Sequence, residues 1–109
     1  MTEDVLHRLA ALIRSRRDES VDSSYTRELL DAGPERCARK LGEEAVETII
    51  AALGADRAAL TREAADLVYH LLVLLESREL GLGDVLLELE TRMGTSGLVE
   101  KAARKNPHQ

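Results

Sequence analysis

The chain has no tryptophan and no phenylalanine, and Tyr25 and Tyr69 are its only aromatic residues. Sheet cores draw on aromatic and β-branched side chains, so this scarcity, beside abundant Leu and Ala, favours helix. A single cysteine, Cys37, excludes an intrachain disulfide and any CxxC metal or redox motif. It is expected to pack as a small apolar residue. No run approaches the roughly 18 apolar residues of a membrane span, and MTEDVLHRLAALIRSRR carries acids first and lacks an uninterrupted apolar core. Neither a signal peptide nor a membrane partner is expected, and the chain reads as cytoplasmic. Positive charge is also in deficit, with 15 Lys and Arg against 20 Asp and Glu, a formal net charge of -5. Nucleic-acid binding needs clustered cations against the phosphate backbone, so that partner is not expected either.

What remains is a helical vocabulary. With 109 residues the chain is expected to form a single domain, 1–109, small enough that a second subunit would help bury its apolar surface. Val5, Leu6, Leu9, Leu12 and Ile13 recur at spacings of three and four, which predicts an amphipathic helix from Thr2 to about Arg17. The polar stretch Asp18 to Ser24 reads as a loop, followed by a short helix from Tyr25 or Thr26 to Asp31. Gly33 stops it, and Pro34 suits the first turn of a helix running to about Leu53. Its apolar stripe is expected to be Cys37, Leu41, Ala45, Thr48, Ile49 and Ala52. A further helix is predicted over about Leu60 to Leu80, with Asp56 to Thr61 either its first turn or a connection. Leu67, Val68 and Leu71 to Leu75 cover nearly every azimuth of this helix, which must then be buried all round. In so small a protein that calls for a subunit interface. Asp84 can cap a last helix to Met93, and a basic tail begins at about Gly94. The expected architecture is an all-α helical bundle of four to five helices, completed by homodimerisation.

The acids stand out against this frame. KLGEEAVETII places Glu43, Glu44 and Glu47, and REAADLVYHLLVLL places Glu63 and Asp66, each set just ahead of an apolar run. Residues three apart share a helix face, so Glu44 can aim with Glu47, and Glu63 with Asp66. Two unit charges about 5 Å apart repel by roughly 3 kcal/mol at an effective dielectric near 20, so helices bringing four together need a cation. Oxygen-only ligands suit Mg²⁺, with Mn²⁺ as a possible substitute, rather than zinc. Mg²⁺ shares its coordination sphere with phosphates, which makes a polyphosphate the natural substrate. Any one glutamate on a helix is more often a solvated surface residue than a functional one. The set is read as a metal site because Glu63 and Asp66 stand in the turn before the most apolar run. His70, one turn after Asp66, reads as a hydrogen-bonded core or wall residue.

Cations and hydroxyls carry two readings each. Lys40 either pairs along the helix with Glu44, worth a few tenths of a kcal/mol, or touches phosphate. Lys101, Arg104 and Lys105 are either solubility residues or phosphate ligands on a closing tail. Ser24, Tyr25 and Thr26 either cap the short helix or suit a ribose or phosphate.

The pattern EExxE followed by ExxD resembles that of the all-α MazG-type nucleotide pyrophosphohydrolases. SYTRELLDAG, KLGEEAVETIIAA, EAADLVYHLLVLL and SGLVEKAARK, in this order, are similar to the phosphoribosyl-ATP pyrophosphatase family of histidine biosynthesis, over roughly residues 22 to 105. The resemblance implies Mg²⁺-dependent hydrolysis of 1-(5-phosphoribosyl)-ATP to 1-(5-phosphoribosyl)-AMP and pyrophosphate by a homodimer. It places the family's metal ligands on Glu44, Glu47, Glu63 and Asp66, with Glu43 or Glu47 as water-orienting base. Substrate contacts would fall to Lys40, Tyr25, Thr26, Lys101, Arg104 and Lys105. Many relatives are fused to a zinc cyclohydrolase that needs several cysteines, so only the pyrophosphatase step is expected here. Two other readings compete: a broader housecleaning nucleoside triphosphate pyrophosphohydrolase, and a non-catalytic helical dimerisation module whose acids are a solvated face.

Overall fold

The computed structural model describes residues 2–18 and 24–94, so Lys101, Arg104 and Lys105, expected at substrate phosphate, lie outside the described residues. Five helices and no strand occur among the described residues. They are α1 (Thr2–Arg16), α2 (Tyr25–Ala32), α3 (Pro34–Leu53), α4 (Arg57–Ser77) and α5 (Leu82–Met93). None is long and apolar enough to cross a membrane.

Local chemistry accounts for the boundaries. Ser24 caps α2, its hydroxyl accepting from Arg27 N at 3.1 Å. Gly33, at φ 98, takes the left-handed turn that lets Pro34 open α3 at once. Asp56 caps α4 through Ala59 N at 3.1 Å, which makes Arg57 to Thr61 its first turn. α4 ends at Ser77, short of the Leu80 expected, because Glu79 turns left-handed at φ 59 and Leu80 N closes back on Leu75 O at 2.9 Å. Asp84 is not the cap of α5. Gly81 occupies that position, and Asp84 reaches back from the first turn to accept from Gly81 N at 3.1 Å.

α3 and α4 are joined by residues 54–56 alone and pack along one another as a helical hairpin. The core is small: Ile13, Leu29, Cys37, Leu72 and Val73 are buried, with Leu9, Leu30, Tyr69, Leu74, Leu75 and Leu82 packed around them. Cys37 is the expected small core residue, its thiol donating to Leu29 O at 3.3 Å. Arg17 ties the end of α1 to α4, donating to Glu76 Oε2 at 2.8 Å and to Glu76 O at 2.6 Å. That second bond adds to the one the Glu76 carbonyl already accepts from Glu79 N at 2.9 Å.

Two apolar faces are left partly open by the single chain. The predicted α3 stripe is covered only toward its start: Ile49 is 60% exposed and Ala52 is also exposed. α2, which packs on α3, has 8 residues and α3 has 20. At about 1.5 Å per residue, α2 cannot span its neighbour. On α4, Val68 and Leu71 remain 38% and 39% exposed, so this helix is not buried all round by its own chain.

Candidate metal centre

The hairpin brings the acids of two separate sequence clusters together. Glu44 from α3 and Glu63 and Asp66 from α4 each carry a carboxylate oxygen, and the three oxygens lie within 4.8 Å of one another. Glu44 is 9% exposed, and its Oε2 is buried with no hydrogen-bond partner among the described residues. Leaving a buried carboxylate oxygen unsatisfied is costly, and close acids make it worse. Glu47, one turn along α3 from Glu44, completes the neighbourhood. Burial first, then Glu47 and the charges of Asp66 and Glu63, push the Glu44 carboxyl above the usual carboxylate range. Glu63 is raised too, first by Glu47, with which it can share a proton, and then by burial. Glu44 and Glu47 can hydrogen-bond only if one is protonated, so with both ionised Oε2 stays unsatisfied. The arrangement takes either protons or a cation.

Behind Glu44 stands a layer of rings. His70 is 6% exposed, with Nε2 3.8 Å from Glu44 Oε1. Burial, followed by the Lys40 charge, lowers its pKa, so the ring is neutral at pH 7 and this contact is no ion pair. Tyr69 and Tyr25 both meet the imidazole edge-on, with ring centroids 4.9 Å and 6.3 Å away. The hydroxyls of Tyr69 and Thr26 hydrogen-bond each other.

The predicted residues therefore divide. Glu44, Glu63 and Asp66 converge, with Glu47 beside them. Glu43 is outside the converging set: exposed, as Glu47 and Asp66 also are, it differs in that its carboxylate accepts from Lys40 Nζ at 3.2 Å. That bond is the first cause of the raised Lys40 pKa, and it shows the lysine pairing one residue earlier than the Glu44 pairing read from sequence. Among the three hydroxyls, Ser24 is the helix cap and Thr26 is buried against Tyr69, while Tyr25 is 47% exposed at the rim beside His70. Thr48, read only as a stripe residue, does more: its hydroxyl lies 2.7 Å from Glu44 O and 3.1 Å from Glu63 O, between the two helices that carry the acids. A hydroxyl set in an otherwise apolar stripe, one turn after Glu44, was the signal for it.

Fold and site together define an all-α protein whose central hairpin holds a cluster of carboxylates compatible with a divalent metal ion. Residues 6–93 match the family model described as phosphoribosyl-ATP pyrophosphohydrolase. Curated relatives called phosphoribosyl-ATP pyrophosphatase are 57% identical in Cereibacter sphaeroides, covering 92% of this chain and 97% of the relative. The relative in Dinoroseobacter shibae is 58% identical over 92% and 98%. That in Ruegeria pomeroyi is 55% identical over 92% and 95%. The chain belongs to the phosphoribosyl-ATP pyrophosphohydrolase family.

Proposed function

We propose that this chain hydrolyses 1-(5-phosphoribosyl)-ATP to 1-(5-phosphoribosyl)-AMP and pyrophosphate, as a Mg²⁺-dependent homodimer with one domain per chain. Family membership supports the substrate. The observation that carries the metal is Glu44 Oε2, a buried carboxylate oxygen with no partner among the described residues, set beside Glu63 and Asp66. An all-oxygen, all-anionic donor set fits a hard divalent ion.

Glu44, Glu63 and Asp66 would hold Mg²⁺ together with Glu47. The bound ion supplies charge neutralisation of the polyphosphate and acidifies a water. Glu47, within reach of both Glu44 and Glu63, is the carboxylate we assign to take the proton of the attacking water. The water oxygen bonds to phosphorus, the bridging oxygen of the α–β anhydride leaves with its electron pair, and no covalent enzyme intermediate is needed. Glu43 fixes the Lys40 ammonium by their 3.2 Å pairing, which keeps one cation near Glu44 for phosphate. Tyr25, exposed beside His70, offers a ring and hydroxyl to the nucleoside. Thr26 contributes through Tyr69 rather than through solvent-facing contact. Lys101, Arg104 and Lys105 are assigned to substrate phosphate.

The dimer rests on a second observation. Val46, Ile49, Ile50 and Leu53 recur at i, i+3, i+4 and i+7 on α3 and are 55%, 60%, 64% and 85% exposed. That is the spacing of a helix–helix seam, and a stripe of this kind needs a covering surface. The decisive experiment measures pyrophosphate release from phosphoribosyl-ATP with and without Mg²⁺. Release only with Mg²⁺ is expected. Preference for deoxynucleoside triphosphates would favour the housecleaning reading, and no release from any nucleotide would favour the non-catalytic one.

A further inference from the structure

We propose that His70 is a positioning residue for Glu44, its Nε2–H holding Oε1 so that Oε2 is presented to the metal. This rests on the reading of the acids as a metal centre. Each of the two Glu44 oxygens has a distinct environment: Oε1 faces His70 Nε2 at 3.8 Å, and Oε2 is buried without a partner among the described residues. A separation of 3.8 Å is longer than a hydrogen bond, so the proposed bond would require the carboxylate and ring to close by roughly 0.6 to 1 Å. Ligating carboxylates are themselves commonly hydrogen-bonded by an outer group that sets their orientation.

The ring is built to stay put. Tyr25 and Tyr69, the chain's only aromatic residues, both pack edge-on against it, and Tyr69 is anchored through its hydroxyl to buried Thr26. Three helices thereby contribute to one carboxylate: α2 through Tyr25 and Thr26, α4 through Tyr69 and His70, and α3 through Glu44 itself. A histidine serving only as core filler would need neither ring contact with the rim nor a nitrogen turned to an acid.

The test is Mn²⁺ binding to the full-length protein without substrate, measured by titration calorimetry or by the electron paramagnetic resonance of free Mn²⁺. His70→Leu is expected to weaken binding by about 10- to 100-fold. His70→Gln, whose amide N–H can reach the place of Nε2, should restore binding to within about threefold of wild type. His70→Asn, which reaches only the place of Nδ1, should not. Equal affinity in the Leu or Asn variant and wild type overturns the proposal, as does a Gln variant as weak as Asn. Should His70→Leu fail to fold by circular dichroism, the Gln and Asn pair decides alone. Wild-type protein that binds no Mn²⁺ instead removes the metal reading of the acids, and this role with it.

Discussion

The Thr48 hydroxyl on α3 lies 3.1 Å from the backbone carbonyl of Glu63 on α4, and 2.7 Å from that of Glu44 one turn back on its own helix. Its single proton is shared between the two backbones that carry the acids, which sets the level of one helix against the other. Thr48→Val keeps the shape and removes the hydroxyl. The expected loss is about 1 kcal/mol of stability, read as a lower urea midpoint at unchanged slope. An unchanged midpoint would mean the bond across the hairpin contributes nothing.

Glu44→Gln should stabilise the metal-free protein at neutral pH. The folded-state pKa of Glu44 is raised above its ordinary 4.5, so between 4.5 and the folded value the native state binds the extra proton and wild-type stability rises as pH falls. The advantage of the Gln variant is therefore largest above that window and fades as pH drops to 4.5. Thermal melts from pH 8 to pH 4 check this. Added Mg²⁺ should raise the melting temperature of wild type and leave the variant unmoved.

Glu47→Gln and Asp66→Asn should each reduce turnover more than tenfold with the fold intact, because each removes a proposed metal ligand and relieves repulsion in the cluster. Tenfold corresponds to about 1.4 kcal/mol of transition-state stabilisation. Retention of more than a tenth of wild-type activity with phosphoribosyl-ATP would remove the affected residue from the site.

If the proposed dimer pairs through the α3 stripe, Ile50→Glu together with Leu53→Glu should split it. Both positions are largely exposed in one chain, and two like charges one turn apart would be buried in a seam without partners. Sedimentation should show the mass halved. Variant protein sedimenting as wild type would move the interface to another face.

Glu79→Gly should add about 1 kcal/mol, since φ 59 is a left-handed conformation that costs an ordinary residue and suits glycine. Denaturant titration gives the value. A loss of stability would mean that the glutamate side chain contributes more than its backbone costs.

The helices were legible wherever the information is local. Pro34 after Gly33 marks the start of α3 and Gly54 its end, whereas the start of α4 at Arg57, capped by Asp56, was left open between a connection and a first turn. The pairing of Glu44 with Glu47 and of Glu63 with Asp66 follows from helical spacing alone. Less legible was the end of α4, because Glu79 adopts a conformation more usual for glycine. The exposure of Ile49 within a single chain was not legible for a different reason. Periodicity shows which face of a helix is apolar, and it says nothing of how far a neighbour extends along that face.

By itself, the sequence determined the all-α class, the positions of most turns and the family, because propensity, caps and the order of motifs are properties of short segments. Which acids come together, and which is buried, was settled by helix packing. Glu43 and Glu44 are adjacent in sequence and equally acidic, yet one is exposed and paired with Lys40 while the other is buried beside His70 with an oxygen unsatisfied. Successive residues on a helix point about 100° apart, and it is the packing of α4 against α3 that gives one direction water and the other a ring of carboxylates.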